Sequence, residues 1–176
     1  MRGVRYVVAM SLDGYIAGPN GEADWIIMDP EIDFGAFFDQ FDAFLLGRKT
    51  FESMGRTGGG RQSGVQTIVF SRTLRQQDYP NVTIVSENPQ QVLGDLRSKS
   101  GKDIWLFGGS LLFRSLLEAR LVDAVEVSVM PVLLGEGIPL LPPNPSSERF
   151  ELKLTSCRTY KTGIVSLEYV VEYEPA

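Results

Sequence analysis

The chain has 176 residues, 43% of them hydrophobic and 22% charged, with a net charge of -5, one cysteine and no histidine. That is the size and balance of one globular domain, residues 1–176, able to bury a core without disulfides or metal. The composition excludes Ser-His-Asp and Cys-His catalysis, zinc and histidine-containing metal sites and an intrachain disulfide, and its acidity argues against nucleic acid as a partner.

Tyr6-Val7-Val8-Ala9-Met10 predicts a buried strand, and Asp13-Gly14 with Pro19-Asn20-Gly21 a loop after it. Asp13 is expected to hold the Ser11-Leu12-Asp13-Gly14 turn. Ile32 to Phe41 carries Phe34, Phe37, Phe38 and Phe41 at helical spacing. Ala43-Phe44-Leu45-Leu46 predicts a second strand, closed by Gly47, with a short helix from Arg48. Gly55 to Gly64 reads as a flexible glycine-rich loop. Val65 to Ser71 and Asn81 to Val85 predict two further strands, and Pro89 to Lys99 a helix with Val92, Leu93 and Leu96 on one face. Ile104-Trp105-Leu106-Phe107 is an apolar strand that ends in Gly108-Gly109, and a helix follows from Ser110 to about Arg120. Beyond it the pattern turns to strands: Ala124 to Val129, Phe150 to Thr155, and the alternating run Ile164 to Tyr173. Pro142-Pro143-Asn144-Pro145 is a surface loop. Strand and helix alternate and then strands alone follow, so an α/β fold is expected. Its sheet is mostly parallel, in three layers, with antiparallel C-terminal strands at one edge.

Three strand ends carry groups suited to a phosphorylated nucleotide: Gly47-Arg48-Lys49-Thr50, Ser71-Arg72-Thr73 and Gly108-Gly109-Ser110. Ligands of open α/β sheets collect at the carboxyl ends of the strands. A glycine pair before a helix lets an anion approach the free first-turn amides, which the helix dipole favours. Arg48 and Arg72 supply guanidinium forks for a terminal phosphate, while Thr50, Ser110 and backbone amides suit a pyrophosphate. Neither G-x-x-x-x-G-K-[ST] nor G-x-G-x-x-G is present. Trp25 with Phe34, Phe37 and Phe38 offers faces on which a planar heterocycle can stack. Asp29, Glu31 and Asp33 crowd the start of the first predicted helix, where the macrodipole also favours carboxylates. Cys157, in a late strand, is expected to be inert.

Phe44-Leu45-Leu46-Gly47-Arg48-Lys49-Thr50-Phe51-Glu52-Ser53-Met54-Gly55 and Leu106-Phe107-Gly108-Gly109-Ser110-Leu111-Leu112-Phe113 resemble segments of dihydrofolate reductases. Ser11-Leu12-Asp13-Gly14-Tyr15-Ile16-Ala17, and the run from Leu121 to Gly137, resemble the reductase domain of riboflavin biosynthesis. The resemblance implies a dihydrofolate reductase-like fold that binds NADPH. It places Gly47, Arg48, Lys49 and Thr50 by the phosphates, and Ser71 and Arg72 by the adenosine and its 2′-phosphate. Gly108 and Gly109 take the pyrophosphate across an unusual peptide bond, and Ser110, Leu111, Leu112 and Phe113 continue that wall. Ala9, Ile16 and Ala17 flank the nicotinamide. Trp25, Asp33 and Phe37 face the substrate, and Asp33 is the expected proton donor, with Asp29 and Glu31 competing for the role. The implied activity resembles that of the phosphoribosylamino-uracil reductase. Dihydrofolate reduction, an orphan reduction, and NADPH binding without turnover are the alternatives. A homodimer paired through edge strands is expected, with Ile164 to Tyr173 at an edge. A cytoplasmic location is expected from the single cysteine, the lack of a signal-peptide core and the lack of an apolar run near the ~20 residues of a membrane span.

Overall fold

The computed structural model describes residues 1–57, 64–143 and 149–173. Eight strands form one sheet: β1 (Val4–Ser11), β3 (Phe41–Gly47), β4 (Gln66–Phe70), β5 (Thr83–Val85), β6 (Asp103–Gly108), β7 (Ala124–Met130), β9 (Glu151–Thr159) and β10 (Val165–Glu172). Two short strands, β2 (Tyr15–Ala17) and β8 (Ile138–Pro139), pair separately. The sheet order is β5-β4-β3-β6-β1-β7-β10-β9. The first six strands run parallel, and β10 is antiparallel to both β7 and β9. This is the α/β sheet expected, with one correction: Ile164 to Tyr173 is not an edge, because β9 lies outside it.

Period-two alternation splits the central strands between two cores. Tyr6, Ala43, Leu45, Ile104 and Leu106 face one side, where α3 (Pro89–Ser98) and α4 (Ser110–Glu118) cover them with Leu93, Leu96, Phe113, Leu116 and Leu117. Phe44, Leu46 and Trp105 face the other side, under α1 (Phe34–Phe38) and α2 (Arg48–Thr57). Phe113, Leu116 and Leu117 repeat at the i, i+3, i+4 spacing of a buried helical stripe.

Several boundaries differ from the sequence reading. The helix expected to Phe41 stops after Phe38, and Phe41 opens β3. Its spacing suits either element, but parallel pairing with Asp103 draws Phe41 into the sheet and its ring onto Trp105. Gly55 belongs to α2 rather than to a loop, and the glycine run at 58–60 lies outside the described residues, as do Asn144 and Pro145. Three elements went unpredicted, β2, β8 and a 3-10 turn at Gln76–Asp78, all too short to carry a period of their own. No helix among the described residues is long and apolar enough to cross a membrane, and none of their side chains group as a metal site.

Candidate functional site

Strand β6 sits centrally between β3 and β1, and the chain reaches it only after building β3, β4 and β5 outward. Its carboxyl end is therefore a topological switch point, where open α/β sheets bind ligands. There Gly108 adopts φ +138, a conformation that side chains rarely take, and the Gly108–Gly109 peptide is cis. Gly109 is the N-cap of α4 and, as a glycine, supplies no side-chain cap. The first amides of α4 thus lack an intrahelical acceptor and receive none from the N-cap residue, which leaves donors and the positive end of the dipole for an anion.

Parallel pairing brings the end of β3 to the same place, with Leu46 opposite Gly108. A Cβ on Gly47 would stand 3.6 Å from the Gly109 amide nitrogen and 3.7 Å from the Gly108 oxygen. A Cβ on Gly109 would stand 3.2 Å from Thr50 Oγ1. Gly47, Thr50, Gly108, Gly109 and the buried Ser110 therefore converge, as the sequence suggested. Lys49 is exposed beside them. Arg48 is engaged: its Nη1 donates to both Glu52 oxygens, at 3.0 and 3.1 Å, one turn further along α2.

A cleft of about 350 Å³ opens at the ends of β4 and β5, lined by Phe70, Arg72, Val85, Ser86, Glu87 and Leu112 among others. Ser71 also lines it, but its hydroxyl accepts from the Thr73 and Leu74 amides at 3.2 and 3.0 Å. That serine shapes the turn that presents Arg72. The wall expected after the glycine pair is only partly realised. Leu112 faces the cleft, while Leu111 is 71% exposed. Phe113 stacks on Tyr6 at 3.8 Å, so its ring belongs to the core. A helix turns these consecutive residues to different sides.

A flap covers the end of β1. The turn after Ser11 is closed by that serine together with Asp13: Gly14 N donates to Ser11 O at 3.0 Å, Tyr15 N donates to Ser11 Oγ at 2.9 Å, and the Ser11 side chain is hydrogen-bonded to the Asp13 carboxylate. The Asp13 carboxylate also accepts from the amides of Leu134 (3.1 Å) and Gly135 (2.7 Å), tying the flap to the loop after β7. Hydrogen bonds from the Ser11 side chain and from the Gly135 and Leu134 amides hold the Asp13 pKa down at about 2. Ile16 and Ala17 lie half-buried on β2, which pairs with β8, and Ala9 sits on β1 opposite Ser128. Gly137, at φ +154, packs so close to the Ala17 carbonyl that any side chain would collide with it.

On the opposite flank, Trp25 is half-buried and its Nε1 donates to Glu22 O at 3.1 Å. Phe37 meets Trp105 edge-on at 5.0 Å and Phe41 at 5.4 Å, so its ring is committed to the aromatic core. Asp33 is exposed and caps α1, accepting from Ala36 N at 2.9 Å. Asp29 is buried; it accepts from Thr162 Oγ1 at 2.7 Å and Glu31 N at 2.8 Å, and these bonds lower its pKa. It fastens the segment before α1 to the β9–β10 turn. Ser11, Ser86, Glu87, Ser115 and Gly137 were missed in the sequence. Single small or polar residues, whether in loops or within elements as Ser11 and Ser115 are, add nothing to an apolar period.

The family model of the RibD C-terminal domain matches residues 2–166. The chain belongs to the RibD C-terminal domain family. That agrees with the resemblance to the riboflavin-biosynthesis reductase domain. A relative in this range, the uncharacterized protein YyaP of Bacillus subtilis, is 36% identical over 174 residues, covering 92% of this chain and 91% of YyaP. Among solved structures, a putative riboflavin biosynthesis protein from Shewanella sp. PV-4 superposes with a TM-score of 0.82 at 23% identity, covering 98% of this chain and all of the other. Dihydrofolate reductase from Enterococcus faecalis, solved with NADP(H) and RAB-propyl, gives 0.68 at 21% identity, covering 97% of each chain. These likenesses establish the dihydrofolate reductase-like fold.

Proposed function

We propose that this RibD C-terminal domain is an NADPH-dependent reductase of the riboflavin-pathway type, acting on a phosphoribosylamino-pyrimidine or a similar heterocycle with an attached sugar. The observation that carries this reading is the uncapped start of α4 at the switch point, with Gly47, Thr50, Gly108, Gly109 and Ser110 converging on it. The residues present fit NADPH: the N-cap Gly109 has no side chain to cap α4, and the adjoining cleft combines apolar walls with Arg72, which makes no ion pair or hydrogen bond to another described residue. The dinucleotide fits this donor set, its pyrophosphate at α4 and its adenosine in the cleft.

When bound, NADPH supplies the hydride. The chain supplies position and electrostatics. The α4 amides and Thr50 hold the pyrophosphate, and Arg72 pairs with the 2′-phosphate. Ala9, Ile16 and Ala17 form the wall against the nicotinamide, kept in place by the Asp13 tether and the β2–β8 pair. Trp25 shields the substrate side. Asp33 delivers the proton: one of its oxygens caps α1, and its exposed carboxyl is open to exchange with water.

The strands suggest a homodimer. β9 is the outermost strand, exposed along nearly all its length, and Leu152, Leu154 and Val170 are 41%, 52% and 45% exposed. Free and exposed, Cys157 suits a reducing compartment, and we place the enzyme in the cytoplasm.

One observation favours a second reading, NADPH binding without turnover. Gly47, Thr50, Gly108, Gly109 and Ser110 converge on the phosphate side, whereas Asp29 is buried in structural bonds and Asp33 serves as a cap. Absorbance of NADPH during incubation with the ribosylamino-pyrimidine, and in parallel with dihydrofolate, separates the readings. Oxidation with the pyrimidine supports the first. Oxidation only with dihydrofolate moves the chain to the sister activity. Binding without oxidation of either supports the second.

A further inference from the structure

We propose that Glu87 is a specificity-determining residue of the adenosine cleft, opposing the 2′-phosphate that Arg72 attracts, so that it narrows the preference of the cleft for NADPH over NADH. The proposal rests on the reading of the cleft as the adenosine site. Glu87 and Arg72 line the same cleft, from the ends of adjacent parallel strands, β5 and β4. Both are exposed, and neither forms an ion pair or hydrogen bond with the other or with any other described residue. Two unpaired opposite charges in one pocket are available to a ligand rather than to the fold.

Their neighbours leave them the deciding role. The Ser71 hydroxyl is spent on the Thr73 and Leu74 amides, and Arg48 is paired with Glu52. Phe70, Val85, Pro89 and Leu112 supply the apolar walls that a planar base requires. A carboxylate accepts hydrogen bonds from ribose hydroxyls, and an arginine pairs with a 2′-phosphate. A 2′-phosphate here therefore gains from Arg72 and is repelled by Glu87, while a ribose with a free hydroxyl gains from Glu87. Glu87 also precedes the N-terminus of α3, whose N-cap Asn88 makes no side-chain cap, so a carboxylate there is compatible with the fold on dipole grounds as well.

The test measures Kd for NADPH and NADH, which differ only in the 2′-phosphate, by nucleotide fluorescence in the parent, Glu87→Gln and Arg72→Ala. Removing one like charge beside the phosphate is expected to raise the NADPH preference about fivefold in Glu87→Gln. Arg72→Ala is expected to lower it about tenfold or more. A melting scan of each variant shows that the fold is kept, which a merely helix-stabilising Glu87 would disturb without moving the ratio. A preference within about twofold of the parent in folded Glu87→Gln overturns the proposal while leaving the reductase reading intact. Failure of the parent to bind either nucleotide overturns both.

Discussion

Replacing Gly47 by alanine separates binding from folding. The added Cβ meets only ordinary neighbours, the Gly109 nitrogen at 3.6 Å, the Gly108 oxygen at 3.7 Å and Leu112 Cβ at 3.8 Å, and Gly47 is not among the positive-φ glycines. The native state should accept the methyl group without strain. The loss of unfolded-state freedom is worth roughly 0.4–1 kcal/mol in favour of the variant. At roughly 2–4 °C per kcal/mol for a chain of this size, Tm should hold or rise by about 1–4 °C. The same methyl group shields the Gly109 amide from an incoming phosphate. A hydrogen bond to a charged group is worth about 1.5–3 kcal/mol, so NADPH affinity should fall by about 10- to 100-fold. Gly108→Ala is the opposite control. Its φ of +138 carries strain on the order of 1–3 kcal/mol, lowering Tm by about 2–12 °C whatever binds. Scanning calorimetry and nucleotide fluorescence read the two effects. A Gly47→Ala protein with parent Tm and an NADPH Kd within about threefold of the parent refutes the reasoning and reduces the glycine pair to a turn.

Asp13→Asn should cost stability at neutral pH, because the lowered carboxylate pKa contributes stability that is present above its ordinary value of 3.8. The Tm gap between parent and variant should close as pH falls from 3.8 towards about 2, and a gap that widens in that interval contradicts the tether. Asp33→Asn keeps a good N-cap residue, so Tm should stay nearly constant while turnover drops about a hundredfold with NADPH affinity intact. Unchanged turnover would assign the proton to water. Leu154→Glu places a charge on the exposed face of β9 and should convert a dimer mass to a monomer mass in light scattering; a parent that is already monomeric at micromolar concentration removes the dimer reading.

The sequence by itself determined the alternating elements and the strand ends that matter. Apolar runs such as Ile104 to Phe107 are strands because alternate residues fill two different cores, and glycines stand where a strand must give way to a helix with bare amides. Local chemistry of this kind is written residue by residue. Only the tertiary structure decided which of those residues are free to act. The Arg48 side chain, equal to Arg72 in the sequence, is bound one helical turn away, and Ser71 is folded into its own turn. Phe113 and Phe37, neighbours of site residues along the chain, point into the two cores because a helix rotates its side chains by about 100° per residue. Glu87 became part of the cleft through the parallel pairing of β4 with β5, a contact between segments whose register depends on the whole sheet. Asp13 found its acceptor role more than a hundred residues away, at Leu134 and Gly135. Such long-range partners are set by the order of strands, which no local pattern encodes.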